Sequence, residues 1–93
     1  MSESSMDAVV RQMRDAILDN DLKILAAVNA RMALVARLEA YAAQNGREGL
    51  TPSRREGMLR YVSGANRGAV SDEDLQELFT LLARFSEPET PDA

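Results

Sequence analysis

A stripe of mostly apolar positions runs along the first half of the chain at alternating steps of three and four residues. Its members are Val10, Arg14, Ile17, Asp21, Ile24, Val28, Arg31, Val35, Leu38 and Ala42. This spacing is the a/d repeat of a helix that packs lengthwise on another helix. No proline or glycine occurs between residues 5 and 45. We therefore predict one helix of about 40 residues, close to 60 Å long.

The ends of this long helix are marked by local signals. Ser4 or Ser5 is the predicted N-cap, and Asn45-Gly46 is a typical C-terminal stop. Asp19-Asn20-Asp21 is unfavourable in a helix interior, since short polar side chains form hydrogen bonds with nearby backbone groups in non-helical conformations. The stripe nevertheless keeps its phase on both sides of these residues, and we therefore predict a continuous helix.

Two shorter helices are predicted after the long one. Thr51-Pro52 supplies an N-cap and a first-turn proline for a helix to about Asn66. Ser71 begins the third helix, which ends at Glu87-Pro88. Its predicted core stripe consists of Leu75, Leu78, Phe79, Leu82 and Phe85. The prediction is an all-α chain with one domain over residues 5–87 and disordered tails at 1–4 and 88–93.

The length of the chain bears on its oligomeric state. Of 93 residues, close to half lie in the predicted long helix, and the remainder is too short to cover both faces of that helix. Burial of the apolar stripe then requires a second copy. We therefore predict a homodimer built on paired long helices.

Composition excludes several functions. The formal net charge is −4, whereas nucleic-acid binding needs a basic surface. The chain has no Cys and no His, which removes thiolate and imidazole nucleophiles and most zinc sites. No metal site is predicted. No apolar run is long enough for a membrane span, and the N-terminus lacks a signal-like segment, so we expect a soluble cytoplasmic protein.

Three polar residues interrupt the stripe: Arg14, Asp21 and Arg31. A buried guanidinium needs an anionic partner. One interpretation pairs the arginines with Asp21 or another acid. In the other, the arginines hold an anionic ligand. Arg14 and Arg31 are separated by about 25 Å along one helix, so only an antiparallel dimer would bring them to one ligand, in two equivalent interface pockets.

The sequence resembles the all-helical chorismate mutase family from about Val9 to Ser86. The segments that carry the resemblance are residues 13–17, Asp21, Ile24-Leu25, residues 28–31, residues 34–36, residues 51–54, Met58-Leu59 and Leu78-Phe79. Each segment is weak alone, and their order and spacing make the resemblance specific. It implies an intertwined homodimer of three-helix chains that converts chorismate to prephenate, in aromatic amino-acid biosynthesis, without a cofactor.

The resemblance also implies roles for particular residues. Arg31 and Arg54 match arginines that bind the substrate carboxylates, and Arg14 matches the arginine that the partner chain contributes. Ser86 matches a serine of the family. The candidate substrate-binding residues are thus Arg14, Arg31, Arg54 and Ser86. Arg31, Arg54 and Arg55 are the candidate catalytic residues.

The sequence departs from the family at the groups that act on the ether oxygen and the hydroxyl of the substrate. Ala42 stands where the family has a lysine, and Arg55 stands where it has a glutamate. A one-residue loop shift would align Arg55-Glu56 with the family's Arg-Glu pair, but Pro52 then loses its match. The third-helix donor would fall near Thr90, beyond Pro88. Arg37, Arg47 or Arg55 are the candidate substitutes.

Three functions are weighed on these grounds. The first is a chorismate mutase of low activity, which a partner enzyme of the same pathway assists. The second is a catalytically impaired binding or regulatory module that holds a small dicarboxylate on the same fold. The third is a structural helical dimer whose stripe arginines form ion pairs. The match of three arginines to family positions favours the first two, and the substitutions at Ala42 and Arg55 favour the second. The first is preferred as the function class, because the fold is associated with one chemistry.

Overall fold

The computed structural model of the protein describes residues 3–87, which form three α-helices. These are α1 (Glu3–Gln44), α2 (Pro52–Ala65) and α3 (Asp72–Phe85). No strand occurs within residues 3–87. The all-α, three-helix prediction is therefore confirmed. The predicted tail at residues 88–93, and the position near Thr90 discussed above, lie outside the described residues, as do residues 1 and 2.

Helix α1 is continuous over 42 residues, as the unbroken phase of the stripe predicted. The helix continues through Asp19-Asn20-Asp21 without a break. There, Asp19 Oδ2 pairs with Lys23 Nζ at 3.3 Å, one turn later on an exposed surface. This i,i+4 pair directs the Asp19 side chain along the helix surface, where it does not compete for backbone groups.

The predicted start of α1 was wrong by a few residues. Ser4 and Ser5 lie inside the helix, which already includes Glu3, so neither serine is the N-cap. Residues 3 and 4, assigned by the sequence to a disordered tail, are helical. Serine is tolerated in a first turn, and a sequence signal places helix ends only to within a few residues.

The C-terminus of α1 closes in a Schellman motif. Gly46 adopts a left-handed conformation with φ of 64°, which glycine reaches without the Cβ clash of other residues. Arg47 N donates to Ala42 O at 2.8 Å, and Gly46 N donates to Ala43 O at 3.4 Å. These bonds satisfy carbonyls that the helix end would otherwise leave open. The predicted stop at Asn45-Gly46 is confirmed.

The starts of α2 and α3 follow the predicted caps. Thr51 Oγ1 accepts a hydrogen bond from Arg54 N at 3.2 Å, and Pro52 is the first helical residue. Ser71 Oγ accepts from Asp74 N at 3.1 Å, and three acidic residues occupy the first turn of α3. Negative charge there complements the positive end of the helix dipole.

The chain divides into two compact units after Arg31. The first contains α1 up to Arg31. The second contains the rest of α1 together with α2 and α3, and α2 packs against α3. Among the described residues, the buried apolar side chains are Ala42, Leu75 and Leu82.

The predicted core stripe of α3 is only partly buried. Leu75 and Leu82 are buried, and Phe79 is half-buried. Phe85 is 44% exposed and Leu78 is 46% exposed, so their assignment to the core was wrong for the single chain. Helical spacing identifies the apolar stripe of a helix, but it does not show how much of that stripe a neighbouring element covers.

The first unit exposes most of its apolar side chains. Nine large apolar residues are between 38% and 62% exposed: Met6, Val9, Val10, Met13, Ile17, Leu18, Leu22, Ile24 and Leu25. They include the stripe positions Val10, Ile17 and Ile24. In contrast, the later stripe positions Val28 and Val35 are half-buried. Despite this apolar surface, no helix within residues 3–87 has a stretch long and apolar enough to cross a membrane.

Candidate functional site

The candidate residues are divided between the two units. Arg14 and Arg31 lie on α1 in the first unit, whereas Arg54 and Arg55 lie near the start of α2 and Ser86 caps α3 in the second. Arg54 and Arg55 are adjacent in the first turn of α2. The single chain thus carries the predicted cations on two helices.

The two stripe arginines differ in exposure. Arg14 is exposed, as is Asp21 two turns later. Arg31 is half-buried, and its Nη1 atom is buried from solvent. A guanidinium in a shielded place interacts more strongly with an anion, because solvent screens the charge less. Of the two, Arg31 is the stronger candidate for an anion contact within its own chain.

Arg54 is anchored by the loop that precedes its helix. Its Nη1 atom donates to Glu48 O at 2.8 Å and to Gly49 O at 2.7 Å. A guanidinium has five N–H donors, and these two bonds use the two on Nη1. The guanidinium makes no other hydrogen bond to the described residues, which leaves the donors on Nε and Nη2 for a ligand. That edge matches the two oxygens of a carboxylate.

Arg55 and Ser86 are less exposed than Arg54. Arg55 is half-buried, and its backbone N–H donates to Thr51 O at 2.9 Å in the first turn of α2. Ser86 is the C-cap of α3; its Oγ donates to Leu82 O at 3.4 Å. The serine hydroxyl therefore donates its hydrogen bond within its own helix, and its oxygen can still accept one.

Ala42, which the sequence prediction aligns with a lysine of the family, is 5% exposed. Its carbonyl accepts from Arg47 N at 2.8 Å and from Asn45 N at 3.1 Å at the end of α1. The position thus has a methyl group inside the second unit and supplies no cation. Arg37, a suggested substitute, lines a shallow groove on α1 with Leu34, Leu38 and Tyr41.

Glu39 makes a contact that no sequence signal indicated. Glu39 Oε1 accepts a hydrogen bond from Leu50 N at 2.7 Å, across a separation of 11 residues. The space for this carboxylate exists because residue 49 is glycine, since a Cβ there would collide with it. A Glu followed ten residues later by a loop glycine is too common a pattern to identify such a contact in advance.

These features define an all-α protein of three helices that carries arginines on α1 and at the start of α2. The family model described as chorismate mutase type II matches residues 13–87, which include most of α1 and all of α2 and α3. The chain therefore belongs to the chorismate mutase type II family, and the resemblance that its sequence indicated is confirmed. No curated protein and no solved structure matches the chain.

The contacts of Arg54 generate a first prediction. Arg54→Ala removes two charge-assisted hydrogen bonds to the loop before α2, each worth about 1 kcal/mol at an exposed site. We expect local opening of this loop to become about fivefold or more frequent. A glutamate-specific protease under native conditions measures this opening as cleavage between Glu48 and Gly49. Arg60→Ala, which removes an exposed arginine from the same helix, is the matched control. Equal cleavage rates in the two variants would contradict the anchoring role.

Proposed function

We propose that the protein is a homodimeric chorismate mutase of low activity, which rearranges chorismate to prephenate. The observation that carries this proposal is the family match across all three helices. The reaction is intramolecular: one C–O bond breaks while one C–C bond forms. It needs no nucleophile, and it suits a chain without Cys or His. Catalysis then depends on holding one conformer and on stabilising charge in the transition state.

In this proposal, arginines bind the two carboxylates of the substrate. Arg31 and Arg54 act within one chain, and Arg14 comes from the partner chain. The anchored guanidinium of Arg54 supports this role, because two backbone contacts hold it before any ligand arrives. An arginine that is already ordered loses less side-chain entropy on binding. Ser86 is assigned to substrate binding by its position in the family pattern alone.

The proposed low activity follows from the groups at Ala42 and Arg55. Developing negative charge on the ether oxygen is stabilised by a positioned donor, and loss of one such donor typically costs about 100- to 1000-fold in rate. Ala42 is buried and has no donor. Arg55 is half-buried beside Arg54, and we propose that its guanidinium replaces part of the missing charge. Arg55 is thus a candidate catalytic residue together with Arg31 and Arg54.

The homodimer is proposed from the exposed stripe of α1. Covering the exposed part of a large apolar side chain contributes about 1 kcal/mol, and the first unit has nine such side chains between 38% and 62% exposed. Their burial in both chains outweighs a cost of association of about 4–15 kcal/mol. A partner surface is therefore needed for the first unit to be stable, and a second copy supplies one of matching length.

A second candidate function is a binding or regulatory module that holds a small dicarboxylate without converting it. The buried methyl group of Ala42 favours this function, since the arginines are retained while an ether-oxygen donor is absent. Assistance by a partner enzyme of the same pathway would reconcile both functions. That partner, a role in aromatic amino-acid biosynthesis and a cytoplasmic location stay predictions.

The proposed dimer is tested by introducing a charged side chain into the exposed stripe of α1. We expect the wild type to sediment as a dimer at micromolar concentration, and Ile17→Glu to shift it toward monomer with loss of helicity, because Ile17 is 62% exposed in the single chain. Sedimentation equilibrium and circular dichroism measure the two effects. Gln12→Glu adds the same charge off the stripe and should leave the dimer intact. A monomeric wild type with full helicity would contradict the proposed dimer.

Ligand binding is tested at Arg31. A charge-assisted contact to a carboxylate contributes about 1.5–3 kcal/mol, so Arg31→Ala should weaken prephenate binding at least about tenfold. Calorimetry gives the affinity and the expected two sites per dimer. Arg11→Ala removes an exposed arginine of the same helix and should bind as the wild type does. Unchanged affinity in Arg31→Ala would assign Arg31 to a structural ion pair.

Substitution of Ala42 distinguishes the enzyme from the binding module. A lysine there would bring an ammonium group into a shielded region, where it stabilises a partly negative oxygen more strongly than in water. We expect Ala42→Lys to raise chorismate turnover at least about tenfold, and Arg55→Glu in addition to raise it further. The loss of chorismate ultraviolet absorbance measures turnover. Ala42→Met, which adds similar bulk without charge, is the control.

Two outcomes at Ala42 would change the proposal. If the wild type already turns over at about 10 per second, another residue supplies the charge, and Arg55→Ala should then lower the rate. If neither the wild type nor the double variant exceeds the uncatalysed rate while both bind prephenate, the protein is the binding module.

A further inference from the structure

One peptide group in the loop between α1 and α2 is held by an acid on one side and a base on the other. It joins Gly49 to Leu50. Its N–H, on Leu50, donates to Glu39 Oε1 at 2.7 Å. Its C=O, on Gly49, accepts from Arg54 Nη1 at 2.7 Å. The dipole of a trans peptide has its positive end at the N–H and its negative end at the C=O, so the positive end faces the carboxylate and the negative end faces the guanidinium.

This arrangement makes the two hydrogen bonds mutually reinforcing. A carboxylate that accepts from the N–H polarises the peptide and makes its carbonyl oxygen a stronger acceptor. The guanidinium that donates to this oxygen has the same effect on the N–H. Both bonds are charge-assisted, and their lengths fall in the range of such bonds. A second carbonyl, Glu48 O, takes the other Nη1 donor of Arg54 at 2.8 Å, so the plane of the guanidinium is defined by two acceptors.

We propose that Glu39 is a positioning residue for Arg54, which acts through the peptide between Gly49 and Leu50. This inference rests on the proposed function, since Arg54 is there the carboxylate-binding arginine at the start of α2. Glu39 does not touch the ligand. It orients the loop carbonyls that hold Nη1, and it thereby presents the edge formed by Nε and Nη2. The carboxylate of the ligand therefore binds Arg54 side-on at that edge.

Gly49 belongs to the same hydrogen-bonded arrangement. A Cβ at residue 49 would overlap the Glu39 carboxylate, and the carboxylate is the mobile end of a flexible side chain, so it would move away. Gly49→Ala is thus a second way to break the bond to Leu50 N while Glu39 itself is retained. The three residues that form this hydrogen-bonded arrangement are Glu39, Gly49 and Arg54.

Prephenate binding in the full-length protein, measured by calorimetry, tests the proposal. Glu39→Ala releases the peptide, and the guanidinium must then be ordered by the ligand at a cost that lowers affinity about three- to tenfold. Gly49→Ala should have an effect in the same range. Glu39→Gln retains an acceptor oxygen and should recover most of the affinity. Glu77→Ala removes one charge from an exposed position of α3 and serves as the control.

The decisive measurement is a double-mutant cycle. If Glu39 acts through Arg54, Glu39→Ala causes no further loss of affinity in an Arg54→Ala background. An equal loss in both backgrounds would show that Glu39 has a merely structural role, and would overturn the proposal. Unchanged affinity in both Glu39→Ala and Gly49→Ala would overturn it as well.

A measurement without ligand keeps this test separate from that of the proposed function. In a nitrogen-15 NMR spectrum, Glu39→Ala should shift the Nε–H signal of Arg54 and increase its exchange with water, and Glu77→Ala should do neither. If the wild type binds no prephenate but the Arg54 signal responds in this way, the proposed function fails while the positioning of Arg54 by Glu39 stands. If the signal is unchanged by Glu39→Ala, the proposal is wrong whether or not the protein binds prephenate.

Discussion

The apolar stripe along α1 is the constraint on which the rest of the molecule depends. A helix of 42 residues presents this stripe over its whole length, whereas α2 and α3 have 14 residues each. The structure shows the consequence in the exposure of side chains. Stripe positions from Val28 onward are mostly half-buried or buried, and those up to Ile24 are exposed. An amphipathic helix is stabilised mainly by tertiary packing, and the exposed part of α1 is therefore the basis of the proposed dimer.

The loop between α1 and α2 holds a cation in place at the surface of the chain. Arg54 is exposed, and an exposed arginine normally samples many rotamers. Backbone carbonyls of the loop restrict it, and the carboxylate of Glu39 restricts the loop in turn. Order in this region comes from a few charge-assisted hydrogen bonds, since few apolar side chains are buried in the described residues.

The chemistry that membership of the family implies and the residues of this chain agree only in part. A pericyclic rearrangement requires positioning and electrostatic stabilisation, and both are within reach of a chain without Cys or His. In the proposed function, arginines bind the carboxylates of the substrate. At Ala42, however, a methyl group is buried at the position that the proposed function assigns to a missing cation. Binding of the ligand and its turnover are therefore separable properties in the proposed function.

The sequence by itself determined the local elements and the family. The three- and four-residue spacing carried α1 through Asp19-Asn20-Asp21, and Thr51, Ser71 and Gly46 marked helix ends, because each of these signals acts within a few residues. Only the tertiary structure decided how far the apolar stripes are covered, as the exposure of Phe85 shows. It alone also revealed Glu39, whose partner lies 11 residues away across a turn. Such a contact depends on the path of the backbone between two helices, and no local pattern of residue types encodes that path.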